Sequence, residues 1–257
     1  MGVVGSSGRS PPAANSHGRN TLLSSLPVAD QQRIIQQCEK QHFASGQVLY
    51  EINVPLTHGY FPLSGFASLV AHTDGAAIEV GIVGNEGFVG LQLALGALQS
   101  SIRAVCQAPG EFLALPALAL RRELESNPAM RALLARFTQG VMTQMSQSML
   151  CNNAHAVDQR LCRWLLAAHD RLGSDELPLT QTFLSQMLGV RRPSVTVAAG
   201  MLKKAGFIDY SRGHITVLDR PGLEDGACEC YLVIRTEFER LLPHPNSELV
   251  SGPTLRR

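Results

Sequence analysis

The sequence predicts an α+β chain. An N-terminal antiparallel β jelly-roll is followed by a long helix suited to self-association, then by a helix, sharp turn, helix and two-stranded wing. Three observations predict this. Residues 43–115 carry ten glycines between short runs such as "QVLYEI", "ASLVAH" and "AIEVGIV", a texture of short strands and frequent turns. Residues 116–150 hold a single glycine, Gly140, with apolar residues at helical spacing. Residues 180–219 read as a capped helix, a glycine turn, an arginine-led helix and two short strands.

Residues 1–20, "MGVVGSSGRSPPAANSHGRN", lack an apolar core of signal-peptide length and have the composition of a disordered tail. Residues 21–127 form the barrel unit, entered by one or two short helices carrying Leu22, Leu26, Ile34 and Ile35. Residues 128–153 are the long helix. From Pro128 to Cys151 it runs about 24 residues, or about 36 Å. Leu134, Phe137, Val141, Met145 and Ser148 or Met149 make a near-heptad stripe that suggests a partner helix. Residues 154–222 open with a helix whose buried face is Val157, Leu161, Trp164, Leu165, Ala168 and Leu172, ended by Gly173. Residues 223–257 are a helical extension and tail.

Within 154–222, Thr180 is a good N-cap, with Phe183, Leu184, Met187 and Leu188 as the apolar face. Gly189 stops that helix. Pro193 fits the first turn of the next one, where its missing N–H is not needed. Val195, Ala198, Ala199 and Leu202 bury that helix, and "FIDYSRGHITVL" folds back as a wing at Ser211–Arg212–Gly213. A helix N-terminus attracts phosphate. Arg191 and Arg192 add two charges there, and an arginine fork can grip guanine in the major groove. Ser194 and Thr196 offer hydroxyls. From Gln186 to Arg220 six basic residues (Arg191, Arg192, Lys203, Lys204, Arg212 and Arg220) face only Asp209 and Asp219, in a chain of net charge +1. The ordered string points to double-stranded DNA as partner.

Composition limits the alternatives. The balanced charge excludes a chain that wraps nucleic acid along its whole surface. No apolar run reaches the length of a membrane span. Six scattered cysteines (Cys38, Cys106, Cys151, Cys162, Cys228 and Cys230) form no secreted disulfide framework, so a reduced cytoplasmic compartment is expected. There is no nucleophile elbow, phosphate loop or H-x-H, so no enzyme is expected. Cys228 and Cys230 form C-x-C and can meet a metal or oxidise if a residue such as Cys151 joins them. The simpler reading is cysteines lining a helix, with no metal site and no cofactor.

The segment "LTQTFLSQMLGVRRPSVTVAAGMLKKAGFIDYSRGHITVLD" resembles the winged helix-turn-helix of the CRP/FNR superfamily of bacterial transcription regulators. "GYFPLSGFASLV" and "GNEGFVG" resemble that family's cyclic-nucleotide-binding barrel, and the long helix its dimerisation helix. "LEDGACECYLVIRTEFERLL" resembles an extension seen in one branch. The resemblance covers about residues 22–220. It implies a homodimer on near-palindromic sites, with RNA polymerase as a protein partner. Arg192 falls at a base-reading position. Thr180 and Ser194 fall at phosphate-contacting ones. Pro193 replaces a commonly acidic base reader and Val197 a second arginine, so a different site is read. Val197 can still meet a thymine methyl. Arg191, Thr196, Lys203 and Arg212 complete the expected DNA-binding set.

The resemblance also implies where a cyclic nucleotide would sit, and that cassette is degenerate here. Gly90–Leu91 stands where a glycine and glutamate hold the ribose, and Ser101–Ile102 where an arginine holds the phosphate. Arg103 lies two residues on, about 6.6 Å along a strand. Control by cyclic AMP is therefore not expected, and an unknown small-molecule effector stays open. The alternatives are a cyclic-nucleotide-responsive regulator using Arg103, or a ligand-binding regulatory protein without DNA binding. No cysteine precedes Cys38, which leaves no N-terminal ligand set for an iron–sulfur sensor. His42, His58 and His72 are isolated and read as ordinary polar residues rather than haem ligands.

Overall fold

The computed structural model describes residues 19–211 and 213–242. Of the expected tail, residues 1–18 lie outside the described residues, but Asn20 is not tail. It is buried, its Oδ1 accepts from the Leu23 amide at 2.9 Å, and its amide donates to the Pro62 and Gly87 carbonyls. It therefore caps α1 (Thr21–Ser24) and ties the chain entry to the barrel. Helix α2 (Val28–Gln36) follows and buries Ile34.

The barrel is built from β1 (Glu39–Phe43), β2 (Val48–Tyr50), β3 (His58–Pro62), β4 (Phe66–Thr73), β5 (Ala76–Val83), the short α3 (Leu91–Ala94), β6 (Arg103–Ala108) and β7 (Gly110–Pro116). All pairs are antiparallel, in two sheets ordered β1-β7-β3 and β2-β6-β4-β5. Phe61, Phe88 and Phe112 fill the space between them, each fully buried. Aromatic side chains of this size bring the largest apolar area into a small core.

After α4 (Ala117–Ser126) comes α5 (Pro128–Ala154), 27 residues and about 40 Å long. Asn127 caps it through Oδ1 to the Met130 amide at 3.0 Å, and Pro128 occupies its first turn. Its faces correct the expected stripe. Leu134, Phe137, Val141 and Ser148 are buried within their own chain, against the barrel and the last described helix. Gln144 also accepts from the Ile82 amide of β5 at 2.8 Å. The apolar residues left outside are Met142, 58% exposed, Met149, 71%, and Leu150. The helix meets two layers of its own chain, so the most apolar face was taken before any partner.

Helix α6 (Val157–Leu172) ends at Gly173, φ +59°. Leu161, Trp164, Leu165 and Ala168 are buried as expected, with Val157 and Leu172 at the margin. Then come β8 (Glu176–Leu177), α7 (Gln181–Met187), α8 (Arg192–Lys204), β9 (Ile208–Ser211) and β10 (His214–Val217). The wing carries a third strand, in the order β8-β10-β9. Phe66 and Ile82, on the outer face of the four-stranded sheet, share a core with Trp164, Leu184 and Leu202. The C-terminal unit is thus packed on the barrel.

Helices α9 (Arg220–Gly226) and α10 (Cys230–Leu241) close the described chain. The expected boundary at residue 222 falls inside α9. Helix α10 lies along α5, where Gly140 faces Phe238. A Cβ on Gly140 would stand 2.8 Å from that ring, so the close approach requires glycine. No helix among the described residues is long and apolar enough to cross a membrane.

Candidate nucleic-acid interface

The helix–turn–helix is positioned by its buried faces. Thr180 Oγ1 accepts from the Phe183 amide at 3.1 Å and starts α7, which buries Leu184 and Met187. The chain reverses at Gly189, φ +61°, a left-handed conformation that costs an L-residue about 1–2 kcal/mol. Arg191 is then the N-cap of α8, with Arg192 and Pro193 in its first turn. Val195, Ala198, Ala199 and Leu202 are buried, as their spacing predicts.

That packing leaves the opposite face of α8 open. Arg191, Arg192, Pro193, Ser194 and Thr196 are exposed, and Val197 is 65% exposed. Among the described residues neither Arg191 nor Arg192 has an acidic partner, so two guanidinium forks stand free at the positive end of a helix. The arrangement presents charge, hydroxyls and one apolar side chain on a ridge that can enter a groove. Thr196 is partly engaged, since its Oγ1 reaches Gln181 Oε1 at 2.8 Å and the Arg192 carbonyl at 3.2 Å.

Other basic residues counted toward this surface behave differently. Lys203 sits at the far end of α8 and pairs with Asp209 at 2.6 Å, which holds that carboxyl below its ordinary range. Arg220 is a correction. It is held between Asp170 at 2.7 Å, Glu224 and Tyr231, with its side chain mostly buried, so it stabilises α6 against α9 and α10 instead of facing outward. Arg212 lies outside the described residues.

Of the four residues expected at a degenerate pocket, the fold brings only Gly90 and Leu91 to one cavity. Gly90, φ +105°, caps α3, and Leu91 is buried. Both line a cavity of about 150 Å³ with Tyr50, Phe88, Gln92, Ile102 and α5 residues Thr138 and Met142. Among the described residues neither a cation nor a carboxylate lines it. Burial pushes the Tyr50 phenol up to about 12, so it stays neutral. Ser101 is exposed and borders the neighbouring open cleft. Arg103 does not line the cavity. Its fork is closed on Glu51, at 2.9 and 2.7 Å. That bidentate pair holds the Glu51 carboxyl below its ordinary range.

The barrel and the interface touch. Gly189 faces Ile78 of β5, and Arg191 borders an open cleft shared with His72, Thr73 and Gly75 of the β4–β5 hairpin. Sequence reasoning missed this contact, and no local signal announces it.

Comparison with known proteins matches residues 40–127 to the cyclic nucleotide-binding domain and residues 159–225 to the Crp-like helix-turn-helix domain. FixK2 from Bradyrhizobium japonicum is similar over 74% of this chain and 98% of its own, at 15% identity and a TM-score of 0.64. A CRP/FNR-family transcriptional regulator from Thermus thermophilus is similar over 74% and 98%, at 24% identity and 0.60. The c-di-GMP responsive global regulator CLP from Xanthomonas campestris is similar over 74% and 99%, at 13% identity and 0.62. At these identities the structural likeness is one of fold. Among curated proteins none matches.

Proposed function

The chain belongs to the CRP/FNR superfamily of transcription regulators, and from that premise we propose that it binds near-palindromic DNA as a homodimer without control by cyclic AMP. The observation that carries the DNA reading is the pair of free forks, Arg191 and Arg192, on the open face of a helix whose other face is buried. Arg192 reads a base edge, Arg191 and Ser194 meet phosphate, and Val197 meets a thymine methyl. Thr180 supports the same strand from the start of α7. Lys203, paired with Asp209, adds long-range attraction only, and Arg212 keeps the DNA-facing role that its place in the wing sequence suggests.

The dimer seam is the outer face of α5. Ala135, Gln139, Met142, Ser146, Met149 and Asn153 lie along it at alternating spacings of four and three residues, the repeat of a two-helix seam. Two copies joined there would present their α8 helices to successive major grooves about 34 Å apart. Such a protein works in the cytoplasm, and RNA polymerase is the protein partner its family implies.

Independence from cyclic AMP is supported by the uncharged cavity beside Gly90 and Leu91 and by the closure of Arg103 on Glu51. An apolar effector suits that cavity better than an anionic one. The test is fluorescence anisotropy of the full chain on DNA selected from a random pool, with and without cyclic AMP. The expected result is salt-sensitive binding to a two-fold symmetric site, unchanged by the nucleotide. Binding that requires cyclic AMP would reverse the reading and return Arg103 to the pocket. Absence of any selected site would leave a regulatory protein that does not bind DNA.

A further inference from the structure

We propose that Cys151, His155, Cys228 and Cys230 form a four-ligand site for a single zinc ion, which clamps the end of α5 to the start of α10. Cys151 lies in the last turn of α5 and His155 is its C-cap, four residues on and so on the same face. Cys228 lies in the turn between α9 and α10, and Cys230 is the first residue of α10. The four ligand atoms all lie within 4.8 Å of one another.

The spacings suit a tetrahedron. The Cys151 and Cys228 sulfurs are 3.5 Å apart, and the Cys230 sulfur is 3.6 Å from His155 Nδ1. Zinc bonds of about 2.3 Å to sulfur and about 2.0–2.1 Å to nitrogen give tetrahedral edges of about 3.8 Å and about 3.5 Å. Four atoms this close surround one ion and leave no room for a cluster of several irons. A disulfide between Cys151 and Cys228 would account for only two of the four groups.

The surroundings fit as well. The three cysteines are buried in a cluster of their own, apart from both hydrophobic cores. His155 Nε2 lies 3.3 Å from the Glu229 carboxylate. Holding the proton at Nε2 leaves the Nδ1 lone pair facing the sulfurs, the usual second-layer support of a metal-bound histidine. Binding would release three thiol protons to solvent and leave a complex of net charge −1. The Arg163 guanidinium faces Cys151 and offsets that charge.

The clamp spans residues 151–155 and 228–230, so it would fix the junction of α5 and α6 to the C-terminal extension. Metal analysis of the full chain, purified without chelator, should give one zinc per chain. A thiol-blocking mercurial should release it. Cobalt(II) in its place should show tetrahedral ligand-field bands with thiolate charge transfer. Glu229→Gln changes an exposed carboxylate and should preserve the fold while weakening metal binding about 10–100-fold. Cys230→Ser should weaken metal binding and lower the thiolate–cobalt charge-transfer intensity from that of three thiolates to that of two, and Cys38→Ser should leave it intact. Metal-free protein with no cobalt spectrum, a Cys151–Cys228 disulfide, or a cobalt spectrum and metal affinity unchanged in Cys230→Ser would each overturn the proposal. DNA binding plays no part in these readouts, so they stand apart from the assignment of Arg191 and Arg192.

Discussion

Trp164 Nε1 donates to Glu79 Oε1 at 2.6 Å, joining α6 to the barrel strand β5 through a buried carboxyl. Ser68 Oγ donates to the other oxygen at 2.6 Å. Burial pushes the Glu79 carboxyl up to about 7 against these two bonds and the nearby Arg163 and Arg171. A raised carboxyl holds its proton longer in the folded state. Its stabilisation is therefore complete below about 4.5 and is lost as pH rises through about 7, a change of at most about 3 kcal/mol. Trp164 is the one tryptophan in the chain, so its fluorescence reports this titration directly. The emission should shift with a midpoint near 7, and the shift should vanish in Glu79→Gln. Glu79→Leu should cost about 1–3 kcal/mol more than Glu79→Gln by denaturant titration, because it strands the indole N–H.

Arg192→Ala should weaken binding to the selected site by about 1–3 kcal/mol and relax preference at one base pair per half-site. Arg191→Ala should weaken all sequences alike and lower the salt slope by about 1. Anisotropy across a salt series on cognate and scrambled duplexes separates the two. Equal behaviour of the two variants would place both arginines on phosphate.

Met142→Glu with Met149→Glu should dissociate the dimer without unfolding the chain, since both side chains are exposed in the isolated subunit. Sedimentation velocity should show a shift to monomer, and affinity for a full palindrome should fall to that for one half-site. An unchanged sedimentation profile would move the seam away from α5.

Gly189→Ala should destabilise the helix–turn–helix by about 1–2 kcal/mol through its left-handed backbone. The added methyl itself has room, with Ile78 3.6 Å away. Hydrogen exchange should therefore rise in α7 and α8 while the barrel strands stay protected.

Local pattern carried much of this architecture. The Thr180 cap, the Gly189 turn and the Val195, Ala198, Ala199 and Leu202 face were legible because each depends on neighbours within a few residues. Long-range pairing was not. The α5 stripe was misassigned because periodicity marks an apolar face without saying which layer covers it, and here α10 and the barrel cover it first. Arg220 and Arg103 read as free cations until the fold brought Asp170 and Glu51 beside them. His155 went unremarked because its cysteine partners in the C-x-C lie more than seventy residues away. The one local hint was Cys151 and His155, spaced four apart at a helix end.

The contact between Gly140 and Phe238 bears on synthesis of the chain. The groove on α5 beside Phe137 is filled by a helix translated almost a hundred residues later. During translation the barrel and α5 would emerge first with that groove open, while the whole DNA-binding unit is still being made. The N-terminal unit therefore completes its packing only after the wing has been made. Shortened chains that stop after the wing would leave an aromatic surface bare and be prone to aggregate. A chain that includes α10, by contrast, closes the first unit with that helix.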